Sequence, residues 1–311
     1  MNKFKGFLFG MTASSTFGLL PLFTLPIMSE GLTTNSILCY RMLFASALVA
    51  VLMQVRKIAF RTNLKELLWF AFLGFFYYGS ASLLFQAYGT MSSGMATTLH
   101  FLYPVGVTLI MALVFKQRPS PFTILAIILG LSGVALLSLK EGGGSSSASL
   151  VGILLVLLSG LSYAAYLVTM NNVRRVRESN NLKLTLYVLI FSALFFLLDT
   201  SFSGGLQMIP SGRALTNLLL LAFLPTLVSN LALVRAVKSI GSTLTSVLGA
   251  MEPLTAIVIG VVVFGEEVTG PMALGILLIL LSVTIIVLSP LLDKNIADRL
   301  RRLSKRPIRR Q

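Results

Sequence analysis

Ten long apolar stretches, separated by short polar or charged gaps, run through the 311-residue chain. About 20 helical residues cross a hydrocarbon core of about 30 Å. Because lipid offers no partner to a backbone amide, each spanning segment must be helical. The pattern therefore predicts an all-α membrane protein with ten transmembrane helices. The predicted spans are residues 6–28, 36–54, 67–89, 92–115, 120–139, 150–170, 184–200, 215–236, 240–264 and 270–290.

The first stretch resembles a signal peptide at its start, where Lys3 and Lys5 precede apolar residues. The apolar region of a signal peptide has about 7 to 15 residues and ends at a small-residue cleavage site. Here the run continues from Gly6 to Met28 without such a site. We therefore expect it to be retained as the first membrane helix.

The second five stretches repeat the first five. Residues 101–105, Phe-Leu-Tyr-Pro-Val, lie 149 positions before residues 250–254, Ala-Met-Glu-Pro-Leu. Since five is odd, the second copy enters the bilayer upside down relative to the first. Many transporters use such inverted repeats to build a central site that opens to either side. We expect a five-helix repeat at 1–144, a second at 145–292 and a basic cytoplasmic tail at 293–311.

Composition excludes a water-soluble protein. Charged residues make up 11% of the chain and apolar residues 56%, whereas a soluble domain has about 25% charged residues. The single cysteine, Cys39, excludes an intrachain disulfide. The net charge of +15 lies in short gaps and in the tail, so no folded basic face is available and no nucleic-acid partner is expected.

The distribution of lysine and arginine predicts the orientation, because these residues favour the cytoplasmic side. With the N-terminus inside, most of them fall in internal gaps, and the external gaps hold only Lys140 and Arg213. We therefore predict that both termini are cytoplasmic in a multi-pass protein of the cytoplasmic (inner) membrane.

Catalytic signatures are absent from the sequence. His100 is the only histidine, and there is no H-E-x-x-H motif, cysteine pair or nucleotide-binding loop. A weak alternative is an intramembrane serine hydrolase that pairs His100 with Ser162, but serine is a common packing residue in membrane helices. We predict no enzyme activity, no catalytic residues, no metal and no cofactor.

Ionisable side chains inside a membrane are costly and therefore informative. Glu252, in the middle of span 9, is a candidate to bind a proton or a substrate amine; the alternative is a neutral acid hydrogen-bonded to a neighbouring helix. His100 is equally a candidate for substrate binding or a satisfied structural residue. Arg41 is more simply explained by snorkelling or an external ion pair, although it could attract a substrate carboxylate.

Tyrosines and prolines complete the predicted site. Tyrosines away from the interfaces can line a wet cavity and stack on planar or cationic solutes, although helix packing explains them as well. Pro104 and Pro253 occupy matching mid-helix positions and would kink spans 4 and 9, which suggests hinges. We predict a central cavity lined by spans 1, 3, 4, 6, 8 and 9, with spans 5 and 10 bracing each half. The predicted substrate-binding residues are Glu252, His100, Tyr78, Tyr88, Tyr103 and Tyr163.

Motifs in both halves resemble one known family. They are Arg41-Met42-Leu43-Phe44-Ala45 in span 2, Tyr103-Pro104 in span 4, Glu252-Pro253 and Phe264-Gly265-Glu266 around span 9, and Gly275-Ile276-Leu277-Leu278 in span 10. In order and spacing they resemble the drug/metabolite transporter superfamily, of the EamA-domain type with two five-helix domains. Lys116-Gln117-Arg118 stands where the first domain of that family usually has Gly-Glu.

The resemblance implies secondary active export of small metabolites, often amino acids, across the cytoplasmic membrane. The expected partners are a small-molecule substrate and the lipid bilayer, with protons as a candidate coupling ion. Two alternatives use the same scaffold: a multidrug or organic-cation exporter, and an uncoupled metabolite facilitator.

Overall fold

The computed structural model is a bundle in which every regular segment of the described part is helical. It describes residues 3–87, 90, 96, 99–117, 119–138, 150–202, 204–264, 270–271, 273–282, 284–285 and 288. The helices are α1 (Lys3–Phe17), α2 (Leu20–Ser29), α3 (Thr34–Val55), α4 (Leu64–Ala87), α5 (Tyr103–Leu113), α6 (Pro121–Ser138), α7 (Leu150–Asn172), α8 (Arg174–Glu178), α9 (Asn181–Phe202), α10 (Gly212–Ala222), α11 (Ser229–Leu248), α12 (Met251–Phe264) and α13 (Ala273–Ser282). A π-helical segment, Phe223–Val228, joins α10 to α11.

Six helical runs in this part of the chain are long and apolar enough to cross a membrane. They cover α1 with α2, then α3, α4, α7, α9, and the continuous run from α10 through α11. The shorter apolar helices α5, α6 and α13 lie where spans 4, 5 and 10 are predicted. The predicted all-helical membrane architecture is thus confirmed in its helical character and in these runs.

Predicted spans 8 and 9 are not separated by a loop. The helix continues through residues 237–239 and changes direction at Gly241, where φ is 86° and ψ is 168°. This backbone conformation is readily open only to glycine. The sequence predicted a gap there because of Lys238, but that side chain reaches across to the carbonyl of Ser179, with its Nζ 2.7 Å from the oxygen.

The two prolines predicted as mid-helix kinks instead lie in the first turns of new helices. Residues 101–102 form a turn before α5, and residues 249–250 form a turn before α12. Pro104 is therefore the second residue of α5, and Pro253 is the third residue of α12. A proline in the first turn of a helix costs no backbone bond, since its missing amide has no acceptor there. Both helices are broken, about one turn earlier than predicted.

Helices of the first half of the chain pack mainly against helices of the second half. The most extensive pairings are α1 with α11, α4 with α7, and α3 with α9. Span 5 meets span 10 in the same way: a Cβ on Gly133 would lie 2.8 Å from the carbonyl oxygen of Gly275, and Ser282 Oγ donates to the carbonyl of Ala126 over 2.6 Å. Small residues at these contacts let the helices approach closely.

Polarity is distributed as expected for a protein surrounded by lipid. Many leucine, valine and phenylalanine side chains are exposed on the outside of the bundle, among them Leu113, Leu154 and Val262. Serine, threonine and asparagine side chains are buried inside it, together with Arg41. Lipid can cover the apolar exterior, while interior polar groups find partners on neighbouring helices.

Candidate functional site

A cavity lies near the middle of the bundle, where six helical segments meet. Its walls come from α1, α4, α5, α7, α11 and α12, which belong to predicted spans 1, 3, 4, 6, 8 and 9. The space open to the centre of a water molecule is about 20 Å³, enough for one or two waters. The cavity is therefore too small for a solute in this conformation. It is lined by Ala13, Ser14, Phe17, Tyr77, Tyr103, Tyr163, Leu167, Ser229, Asn230, Leu233, Thr245 and Glu252.

The polar groups of this wall differ in whether the protein satisfies them. Ser229 Oγ and Thr245 Oγ1 donate to backbone carbonyls over 2.9 and 2.7 Å. By contrast, no hydrogen bond or ion pair from a described residue reaches the Glu252 carboxyl or the hydroxyls of Tyr103 and Tyr163. Buried polar groups are nearly always bonded. These three groups are therefore the ones available to a solute.

Tyrosine rings form a connected cluster along one side of the cavity. The ring centroids of Tyr103 and Tyr163 are 4.8 Å apart in an edge-to-face arrangement. Tyr163 stacks on Tyr166 at 5.9 Å, and Tyr166 lies 5.4 Å from Tyr77. Aromatic pairs at these distances hold each other in place. Tyr77, Tyr103 and Tyr163 of this cluster line the cavity and offer aromatic rings to a planar or cationic group.

The two helix breaks meet at the cavity. A Cβ on Gly249 would overlap the hydroxyl of Tyr103 and lie 2.9 Å from its Cζ. Glycine at this turn therefore lets the tyrosine of the first break reach the second. Another glycine, Gly18, ends α1, and a Cβ there would lie 2.5 Å from the carbonyl oxygen of Glu252. The backbone at Glu252 is thus packed closely by the break in the first span.

Arg41 is buried behind the cavity and does not snorkel. Its Nε donates to Thr226 Oγ1 over 2.6 Å, and its Nη2 approaches the carbonyl of Pro225 at 3.4 Å. Both partners belong to the π-helical segment, whose wider turn exposes such groups. The guanidinium lies 5.2 Å from the centre of the Phe17 ring, which lines the cavity. The predicted external ion pair is therefore wrong.

A second layer of polar contacts links Arg41 to the cavity wall. Asn230 donates to the carbonyl of Thr226 over 2.8 Å and to the hydroxyl of Tyr77 over 3.2 Å. Arg41 is therefore connected to the cavity wall through Thr226, Asn230 and Tyr77.

His100 lies beside the cluster, outside the cavity wall. Its Nδ1 is 3.0 Å from Ser159 Oγ, and its ring centroid is 6.1 Å from that of Tyr163. Ser159 Oγ donates its only hydrogen to the carbonyl of Ser80 over 2.6 Å. The Ser159 oxygen must then accept from histidine, so Nδ1 carries a proton. The structure favours a bonded, positioning role for His100.

The remaining predicted residues are placed as follows. Tyr78 points away from the cavity and packs on Phe195 and Phe196 of α9, at centroid distances of 5.7 and 4.7 Å. Tyr88 lies outside the described residues. Pro104 is buried at the start of α5. Of the six predicted binding residues, Glu252, Tyr103 and Tyr163 come together in the cavity.

Phe17, Ser14, Tyr77 and Asn230 are among the lining residues that the sequence analysis missed. Asn230 carried a usable signal, because an amide in the middle of an apolar span needs a polar partner. Tyr77 is adjacent to the predicted Tyr78, but successive residues of a helix point about 100° apart. The chosen face was therefore the wrong one.

Comparison with known proteins agrees with this architecture. The profile of the EamA-like transporter family matches residues 4–139 and again residues 150–288. The chain belongs to this family, a family of transporters, and it carries two copies of the family's domain.

Individual relatives carry transporter names. The uncharacterized transporter sll1319 of Synechocystis sp. is 26% identical over 71% of this chain and 68% of its own length. The uncharacterized transporter YdfC of Bacillus subtilis is 26% identical over 79% of each chain, and YcxC of the same organism is 32% identical over 49% of this chain and 47% of its own. A protein of known crystal structure has the same fold, with a TM-score of 0.78, 20% identity, and coverage of 94% of this chain and 98% of its own.

Proposed function

We propose that the protein is a secondary active transporter that exports small metabolites, amino acids or related compounds, across the cytoplasmic membrane by alternating access. In this proposal ten helices form two inverted five-helix repeats, residues 1–144 and 145–292, with both termini and the tail at 293–311 in the cytoplasm. Pro104 and Pro253, which follow the two helix breaks, mark the hinges of the motion. Protons are the candidate coupling ion.

The pairing of helices supports the inverted-repeat arrangement. Span 1 packs on span 8, and span 3 packs on span 6. Exchanging the two repeats turns the first pairing into the second, as a two-fold axis in the membrane plane requires. Span 2 with span 7 and span 5 with span 10 are pairings that the same axis maps onto themselves. The central cavity lies among these pairs.

The single observation that carries the proposal is the unpaired carboxyl of Glu252 in a small cavity between the repeats. A carboxyl there can bind a substrate ammonium group or a proton, since either one lowers the cost of its burial. The tyrosine wall can stack on the rest of the solute. Arg41, behind Phe17, adds positive potential for a carboxylate, and amino acids carry both charges.

Purified protein in proteoliposomes tests the proposal. Uptake of radiolabelled amino acids is measured for the wild type, for Glu252→Gln and for the matched control Glu178→Gln, which alters an exposed acid on α8. Hydrogen bonds to charged groups contribute about 1.5–3 kcal/mol, so Glu252→Gln should lower transport about tenfold or more. Equal transport by all three proteins would remove Glu252 from the mechanism, and no transport by the wild type would refute the amino-acid assignment.

An organic-cation exporter is the second candidate, and one observation favours it. Glu252 is the one charged residue among those that line the cavity in the described part of the chain, and tyrosine rings surround it. Such a cavity suits a permanent cation through cation–π attraction. Uptake of a quaternary ammonium compound in the same vesicles, in preference to amino acids, would favour this candidate.

A separate experiment distinguishes a coupled transporter from an uncoupled facilitator. When an ionophore removes the proton gradient, only the coupled protein would stop concentrating its solute.

A further inference from the structure

A second, larger cavity lies between the helix ends that the sequence predicts to be cytoplasmic. It is formed by the end of α5, the start of α6, the end of α7 and the region of α11 around Gly241. Its volume is about 220 Å³, against about 20 Å³ for the central cavity. This is room for a small solute, whereas the central cavity is closed to one.

The kink at Gly241 shapes this cavity. The positive φ of 86° turns the chain away from the axis of α11, and Thr245 Oγ1 donates to the Gly241 carbonyl over 2.7 Å. A Cβ at this position would meet only the side-chain amide of Asn171, at 3.9 Å. Space is therefore not the reason for glycine. The backbone conformation is what requires it.

The wall of the second cavity offers uncharged hydrogen-bonding groups. Asn171, Gln117, Thr243 and Ser242 line it, and no charged side chain belongs to its described wall. Ser242 is fully buried, and among described residues its hydroxyl is the one side-chain polar atom that is both closed to water and without a hydrogen-bond partner. A buried hydroxyl without a partner is unfavourable, so this wall is not fully satisfied within the protein.

One short helical stretch separates the two cavities. It runs from Ser242 to Leu248, between the kink at Gly241 and the turn at Gly249. Ser242 lines the second cavity and Thr245, one turn later, lines the central cavity. A solute in the second cavity is therefore one helical turn from the chamber that contains Glu252.

We infer that the second cavity is the site where the substrate first binds from the cytoplasm, through its uncharged polar groups such as an amide or a hydroxyl, before it moves to the central cavity. This inference rests on the proposed function, which supplies the direction of transport. The stretch from Ser242 to Leu248 then separates the access site from the central site, with glycine at each of its ends.

Cysteine labelling tests the inference, because the chain has one cysteine to remove. Cys39 is buried, and Cys39→Ala gives a background for Thr243→Cys, whose native side chain makes no hydrogen bond with a described residue. A membrane-impermeant maleimide is added to inside-out or right-side-out vesicles. We expect labelling in inside-out vesicles only, and we expect glutamine to slow it severalfold while leucine, of similar size and without an amide, does not. Glu178→Cys, exposed at the same predicted face, should label without protection.

The results distinguish a failure of the access site from a failure of the proposed transport. Labelling that glutamine does not slow, or labelling from the opposite side, overturns the access site. Glu252→Gln in the labelling background should lower transport about tenfold or more and leave the protection by glutamine intact. If the wild type transports no amino acid while glutamine still protects Thr243→Cys, the proposed transport fails and the binding site remains.

Discussion

The two helix breaks, at residues 101–102 and 249–250, share a backbone plan and carry different chemistry. Each break is a turn that is followed directly by a new helix, and that helix has a proline in its first turn. The sequence repeat places them at nearly the same position in the two halves. Both also reach the same cavity, since Tyr103 of the first break touches Gly249 of the second.

The polar groups at the two breaks differ in how the protein satisfies them. At the first break His100 is held by Ser159, whose own hydrogen is donated to Ser80. At the second break the carboxyl of Glu252 has no bond to a described residue. In the proposed mechanism, the unpaired carboxyl of Glu252 therefore serves binding, whereas the bonded ring of His100 serves helix positioning.

The largest expected effect comes from adding a methyl group at the point where the two breaks touch. Gly249→Ala would place a methyl group on the Tyr103 hydroxyl and 2.8 Å from the carbonyl oxygen of Ser246. Overpacking of this kind costs about 3 kcal/mol, so the variant should lose most of its thermal stability in detergent and all of its transport. Gly212→Ala is the matched control, since a Cβ there meets nothing within 4 Å.

A double variant makes this result specific. Tyr103→Phe removes the overlapping hydroxyl but leaves Cζ at 2.9 Å, so it should restore part of the stability that Gly249→Ala loses. If Gly249→Ala loses the same stability with and without Tyr103→Phe, the breaks are not in contact, because independent sites are additive.

The second effect separates stability from function at Glu252. An unpaired acid in an apolar surrounding destabilises the fold. Replacing such a functional group with a neutral one commonly adds about 1 kcal/mol to the free energy of unfolding. Glu252→Gln should therefore raise the melting temperature while transport falls about tenfold or more. A lower melting temperature would mean that the carboxyl is bonded within the protein, as the His100 ring is.

The third effect concerns the hydroxyl of Tyr103, which bonds to no described residue. Tyr103→Phe should lower transport about fivefold, equivalent to about 1 kcal/mol for a lost hydrogen bond to the solute, and leave the melting temperature unchanged. Tyr187→Phe is the opposite control: its hydroxyl donates to the carbonyl of Phe60 over 2.7 Å, outside the cavity. It should lose stability and keep transport. The reverse pattern would remove Tyr103 from the site.

The helices and the positions of the two breaks could largely be predicted from the sequence alone. Apolar length identified the helices, and the matching prolines identified both breaks to within a turn. The face of α4 that meets the cavity could not be chosen correctly, because small and aromatic residues such as Gly74 and Tyr78 do not say which helix they meet. Both pack on α9: a Cβ on Gly74 would lie 2.6 Å from the Cβ of Phe191, and Tyr78 packs on Phe195. The partner of Arg41 depends on the π-helical segment, a local change in winding that no residue pattern announced.

The smallest expected effect lies at the first break, where a bonded His100 should matter to stability more than to transport. Ser159→Ala leaves the Nδ1 proton of His100 without its acceptor at 3.0 Å. Hydrogen bonds between membrane helices contribute about 1 kcal/mol, so the melting temperature should fall slightly and transport should stay within about twofold of the wild type. His100→Phe should have the same effect on stability, and the double variant should add nothing further, because both changes remove one interaction. Transport that falls in His100→Phe and not in Ser159→Ala would instead make the ring itself a substrate ligand, and the two breaks would then be functionally equivalent.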